Sequence, residues 1–178
     1  YTGNKSNLIA NAHAFMYYNG ILTDMGTLGG NTSCAYAVNS SAVAVGCADV
    51  ISGNATYSRA FVWQNGVMTG LGTLGGANSC AFAINEAGAI VGKAQTANGS
   101  WNAFIYNAGV MTNLNSFLTA DSAFSSLICA YDINADGWIV GTGLVNGVEH
   151  AFLMHTPEPT TAVLLGFGAI SLIRGKKR

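Results

Sequence analysis

At 178 residues, half of them hydrophobic and only 8% charged, the chain is long enough to bury a core and far from the charged composition of disordered segments. Its net charge of −1 hides an asymmetry, because Arg174, Lys176, Lys177 and Arg178 supply four of the seven basic residues. The body before them sets only Lys5, Arg59 and Lys93 against eight acidic residues, and scattered cations on an acidic body exclude the basic footprint of a nucleic-acid binder.

The chain opens at Tyr1 with no charged-then-apolar leader. A repeat then dominates. Ala-Phe recurs at Ala14-Phe15, Ala60-Phe61, Ala103-Phe104 and Ala151-Phe152, at intervals of 46, 43 and 48 residues. Gly20, Gly66 and Gly109 each open a second apolar run. Thr27-Leu28-Gly29-Gly30 recurs as Thr73-Leu74-Gly75-Gly76 and is lost in the third unit. Cys34-Ala35-Tyr36-Ala37-Val38-Asn39 matches Cys80-Ala81-Phe82-Ala83-Ile84-Asn85 and Cys129-Ala130-Tyr131-Asp132-Ile133-Asn134, and Gly46, Gly92 or Gly141 follows seven residues after each Asn. The division is 1–13, the link from a preceding repeat; 14–59, 60–102 and 103–150, three four-stranded units; 151–153, the first strand of a further unit; and 154–178, a tail. Tyr1 aligns with Cys47, which favours truncation within a repeat over leader cleavage.

Each element reads as a strand. Asn19-Gly20 and Asn65-Gly66 between apolar runs predict two-residue hairpins, since both turn residues accept positive φ. Gly88 and Gly137 predict type I turns with a bulge between the last two strands. Alternating large and small apolar residues such as Phe82 and Ala83 suit strands covered on both faces. Four strands in about 45 residues match a propeller blade. The expected fold is therefore all-β, a repeat of four-stranded antiparallel sheets in a β-propeller-like partial arc, with a C-terminal apolar helix. Three units are too few to close a ring, so the unit holding Phe15 is expected to expose more apolar surface than the one holding Phe61, and the chain to self-associate.

The segment 60–76, with Ala83-Ile84-Asn85 and Gly92, resembles the bacterial extracellular HAF repeat, whose naming triplet stands at His13-Ala14-Phe15 and His150-Ala151-Phe152. Arg59 and Asn102 replace His in the middle units. This resemblance implies no catalytic activity. The tail resembles the PEP-CTERM sorting signal: Pro157, Glu158 and Pro159, then an apolar run containing Ala162, Leu165, Phe167, Ile170 and Ile173, then the basic Arg174, Lys176, Lys177 and Arg178. Such a tag implies a Gram-negative bacterium, an inner-membrane intermediate held by a transmembrane helix, cleavage by an exosortase-type protease, and passage to the cell surface or extracellular matrix. The run is shorter than a full span, and flanking basic residues can extend it by snorkelling.

Candidate chemistry is thin. Asp132, Asn134, Asp136 and Gly137 open like a calcium loop, but Gly143 stands where the bidentate Glu belongs, and the stretch is the repeat's own hairpin. His13 and His150 share one repeat position with Arg59 and Asn102, and His155 stands alone. Thr27-Leu28-Gly29-Gly30 reads as a turn. Cys34, Cys80 and Cys129, as positional equivalents, are expected in separate blades, beyond disulfide reach. The three-residue turn places Cys34 opposite Ala48, against a Cys34–Cys47 disulfide. No catalytic, cofactor or metal residue is nominated. The expected role is a non-catalytic structural or adhesive repeat module, the alternative being recognition of an extracellular polysaccharide by aromatics such as Trp63, Trp101 and Trp138 with nearby Asn side chains.

Overall fold

The computed structural model describes residues 12–156. They form thirteen antiparallel strands in four sheets, none closed into a barrel, with no α-helix. Hairpin β1 (Phe15–Tyr18) and β2 (Ile21–Asp24) stands alone. Next comes the sheet β3 (Ser33–Val38), β4 (Ala44–Ser52), β5 (Ala55–Gln64) and β6 (Val67–Gly72), in that spatial order. The third is β7 (Gly75–Ile84), β8 (Ile90–Thr96), β9 (Trp101–Asn107) and β10 (Val110–Asn113). The last is three-stranded: β11 (Ser126–Ile133), β12 (Trp138–Val145) and β13 (Val148–His155).

The sheets are phased half a unit later than the blocks 14–59, 60–102 and 103–150. The two four-stranded sheets take their first two strands from the end of one block and their next two from the start of the following block, and the last sheet takes only one from the following block. The physical cause is the unbroken register of the central strands, which runs from Ala44↔Trp63 to Ser52↔Ala55, so the link between blocks is itself a long hairpin. The link 1–13 falls largely outside the described residues, as do the sorting motif, the apolar run and the basic tail of 157–178, so the C-terminal helix is not part of the described fold. No helix among the described residues is long and apolar enough to cross a membrane.

The turns follow their residues. Asn19 and Gly20 (φ 49° and 79°) and Asn65 and Gly66 (52° and 82°) take the paired positive φ values of type I′ hairpins, as do Ala108-Gly109 and Asn146-Gly147. Between β3 and β4, Ala42 is left-handed at φ 57°, and its N–H donates to Asn39 O at 3.0 Å; Gly88 and Gly137 do the same in the later sheets. Thr27 Oγ1 donates to Gly30 O at 2.9 Å and accepts from Gly29 N at 3.2 Å, a side-chain-closed bend, and the same bonds recur at Thr73, where Gly75 and Gly76 already belong to β7. In the third unit a short 3-10 helix, Leu114–Phe117, replaces it.

The sheets stack in series, and a hydrophobic core lies in each gap. Phe61 and Trp63 pack with Ala14 and Met25 of the hairpin. Phe104 and Ala81 pack with Val45 and Ala60 of the preceding sheet. Phe152, Leu127 and Ile139 pack with Val91 and Ala103. The Ala-Phe pair is thereby explained: because strand side chains alternate, the Phe fills the gap toward the preceding sheet while the Ala lets the following sheet come close. Phe61, Ala60, Phe104 and Ala103 are all fully buried.

The repeated glycines have the same origin. Gly46 pairs with Ala35 and Phe61, Gly92 with Ala81 and Phe104, and Gly141 with Ala130 and Phe152. A Cβ at any of the three would collide with the carbonyl oxygen of Cys34, Cys80 or Cys129, and at Gly92 it would stand 2.9 Å from the Phe104 ring. That carbonyl is thrust inward by a β-bulge at Tyr36, Phe82 or Tyr131 in the adjacent strand.

Candidate functional site

The first strands β3, β7 and β11 lie against one another across the stack, whereas β6 and β10 make no more than marginal contact. The bulged aromatics form a ladder along this side, with ring centroids 5.5 Å apart for Tyr36 and Phe82 and 6.1 Å for Phe82 and Tyr131. An asparagine ladder runs beside it. Asn39 Nδ2 donates to Asn85 O at 3.3 Å, and Asn85 Nδ2 donates to Asn134 O at 3.1 Å. The side-chain oxygens are committed to their own turns, as Asn85 Oδ1 is to Ala89 N at 2.9 Å and Asn134 Oδ1 is to Trp138 N at 2.8 Å. The repeated Asn therefore sets its turn and ties it to the next. Glu86 extends the tie by accepting from Ser40 N at 3.1 Å and from the Ser40 hydroxyl.

One concavity lies at the first end of the stack. Hairpin β1–β2 occupies the place of a sheet's third and fourth strands, so it covers only part of the β3–β6 face. Beside it opens an apolar groove of about 760 Å³, lined among others by Met16, Tyr18, Tyr36, Val38, Ala44 and Trp63. Phe15, whose counterparts Phe61 and Phe104 are fully buried, is 63% exposed here, and Tyr17 is 69% exposed. The expected contrast between the Phe15 and Phe61 units is present.

A second, more polar concavity of about 540 Å³ lies between the β8–β9 hairpin and β11–β12. Trp101, Asn98, Asn102, Ser100 and Ser126 line it. Of the three tryptophans, Trp63 is core, Trp101 lies half-buried with Lys93 Nζ 4.8 Å from its ring centroid, and Trp138 is exposed and edge-on to His155 at 5.0 Å.

The cysteine geometry corrects one expectation. Cys34 pairs with Cys47, and Ser33 takes Ala48. The three-residue turn is present, but the bulge at Tyr36 adds one residue to β3 and shifts every pair beyond it. Equivalence between units correctly separates Cys34, Cys80 and Cys129 by sheet. Cys47 Sγ lies 3.8 Å from Tyr36 Oη. All four thiols are free; Cys34 is exposed, Cys47 half-buried, and Cys80 and Cys129 buried. Stabilisation of its thiolate by the Cys80 thiol, then by Ser58 and Tyr36, outweighs burial and pushes the Cys47 thiol down to about 6, while Cys47 and burial push Cys80 up. The two titrate as a pair, the first proton leaving below the ordinary thiol range and the second above it. Burial raises Cys129.

The other nominated residues are dispersed. His13 Nδ1 meets Asp24 Oδ2 at 2.7 Å on the hairpin surface, and this contact, with the Gly26 N–H, lowers the Asp24 carboxyl. His150 is exposed, and His155 Nε2 contacts Asp136 O at 2.9 Å. Asp132 caps Ile133 N at 2.8 Å. Among the described residues no three His, Cys, Asp or Glu side chains gather as a metal site. Sequence reasoning missed Ser33 and Ser79. Ser79 Oγ accepts from Ala60 N of the preceding sheet at 2.9 Å and donates to Gly72 O at 2.6 Å, and Ser33 does the same with Ala14 N and Gly26 O. The recurring Ser33-Cys34 and Ser79-Cys80 pairs were the available signal.

The chain matches no protein-family model, no curated protein and no solved structure.

Proposed function

We propose that the chain is a non-catalytic structural or adhesive module of the bacterial surface or extracellular matrix, its stacked sheets forming a β-propeller-like partial arc and its tail acting as a sorting tag. One observation carries the reading: a stack held by repeated ladders ends in a half-covered aromatic face beside a groove of about 760 Å³. Patches of this kind are rare on free monomers and mark interaction surfaces. The occupant is a second copy of this chain, because the groove continues the interface made by Met16, Met25 and Trp63. Tyr36 offers it the packing that Phe82 gives Tyr36. The order of Pro157, Glu158 and Pro159, the apolar residues Ala162 to Ile173 and the basic Arg174, Lys176, Lys177 and Arg178 supports export through an exosortase-type protease, with a transient membrane anchor. Removing residues 157–178 should leave the protein in the inner compartments on fractionation; unchanged surface delivery would sink the sorting half.

The second reading is polysaccharide recognition at Trp101. It is favoured by one observation, a half-buried indole flanked by Asn98 and Asn102 in a concavity of about 540 Å³. Sugar binding there should quench or shift indole fluorescence, and Trp101→Ala should abolish retention on a glycan array. Equal retention of the variant removes this site.

A further inference from the structure

The two gaps between full sheets are made in the same way. In one, Phe104, Tyr106 and Met111 pack on Val45, Ala60 and Val62 of the preceding sheet. In the next, Phe152 and Met154 pack on Val91, Ala103 and Ile105. The repeat sets Phe15, Tyr17 and Leu22 of hairpin β1–β2 at the positions of Phe104, Tyr106 and Met111, and the pair Tyr17↔Leu22 matches Tyr106↔Met111. Val140, Ala151 and Leu153 of the last sheet stand in turn at the positions of Val45, Ala60 and Val62, with Val140↔Leu153 matching Val45↔Val62. The chain therefore displays both halves of its own internal interface, the aromatic half at the first end of the stack and the small, branched half at the last. Both are bare among the described residues. Val45, Ala60, Val91 and Ala103 are fully buried, whereas Ala151 is exposed, Val140 is 43% exposed and Leu153 is 66% exposed. Phe15, Tyr17 and Leu22 are exposed to the same degree as Leu153.

We propose that the outer face of β11–β13, carrying Val140, Ala151 and Leu153, docks on the outer face of hairpin β1–β2 in a second copy, so that the chains assemble head to tail. This rests on the reading that a second copy covers the first end, and it names the surface that copy brings. The occupant is singled out by the chain itself, which makes the same contact twice internally, from the same residue types in the same register. Ala151 gives the close approach that Ala60 and Ala103 give, and Leu153 the cover of Val62 and Ile105. Phe15 and Tyr17 also rim the groove beside β1, so a sheet laid on the hairpin extends over that groove. Because two different surfaces meet, a joined pair still offers one of each. Association then continues past the dimer unless the rotation from copy to copy closes a ring. A contact of the first end with another first end would leave the Val140–Leu153 face bare, and such apolar sheet is rare on free monomers.

Complementation between two blocked variants separates the arrangements. Leu22→Glu blocks the first end and Leu153→Glu the last, each at an exposed position that the fold does not depend on. In sedimentation velocity on full chains, each variant alone should associate at least about tenfold more weakly than the native chain, because any contact would bury an unpaired carboxylate. Their equimolar mixture should form a dimer and nothing larger, since one open first end and one open last end remain. Val148→Glu, on the same strand as Leu153 but its opposite face, should associate as the native chain does. A Leu153→Glu chain that self-associates like the native one, or a mixture no heavier than its components, would overturn the head-to-tail contact and leave the second-copy reading standing. A native chain that is monomeric at every concentration would overturn both.

Discussion

Hairpins β1–β2 and β9–β10 are built from the same elements, with Phe15 and Phe104 at one repeat position and an antiparallel type I′ connection in each. Yet Phe15 is 63% exposed and Phe104 is fully buried. The difference lies in the neighbours. Phe104 lies on Gly92 of its own sheet and against Val45 and Ala60 of the preceding one, whereas among the described residues Phe15 has neither a paired strand on its free edge nor a sheet beyond. Burial in such a stack is a property of the gap between sheets, so each unit contributes half of a core and borrows the other half.

The sharpest way to break this comparison is to truncate both phenylalanines. Phe104→Ala should destabilise by about 3–5 kcal/mol, the cost of a cavity in a closed gap. Phe15→Ala should stay within about 0.5 kcal/mol, as exposed positions do. Equal losses in urea denaturation would mean that the hairpin is covered after all. A smaller effect separates backbone from packing. Gly66 has φ 82° and open space around its Cα, so Gly66→Val should cost about 1–3 kcal/mol through conformation alone. An unchanged melting temperature would contradict the type I′ geometry.

The smallest effect belongs to the hairpin surface, where His13 meets Asp24. The Asp24 carboxyl is held below its usual 3.8, so its contribution is complete above that value and is lost as pH falls through the lowered one. The urea midpoints of the native chain and Asp24→Asn should differ near pH 5 and converge at strongly acid pH. A difference that grows on acidification would reverse the sign of this contact.

Much of this organisation was legible in the residues. Asn65-Gly66 and Asn85-Gly88 identify their turns because few residues tolerate positive φ. The Ala-Phe period identifies the repeat, and alternating large and small residues foretell cover on both faces. The sheet phase was hidden, because a repeat may be cut anywhere along its period while hydrogen bonds choose one cut, here between the Gly72 and Gly75 ends of β6 and β7. The bulge at Tyr36 was equally hidden, although its consequence, the glycine at 46, was visible as a recurring residue without a reason. One missed bulge moves Cys47 opposite Cys34, and counting equivalent positions gave no view of a cysteine present in only one unit. The groove followed from the expectation of a bare flank, whereas the Trp101 concavity depends on how two sheets approach and has no local signature.

The central claim is that the half-covered face beside β1 is an interface, and sedimentation velocity over a range of concentrations tests it most directly. The full chain should self-associate, and the double substitution Tyr17→Glu and Tyr36→Glu should weaken that association at least about tenfold by placing two charges in the apolar gap. Val110→Glu, which alters an equally exposed residue on β10 away from the groove, should leave it intact. A chain that stays monomeric at every concentration, or an association indifferent to Tyr17 and Tyr36, would contradict the account.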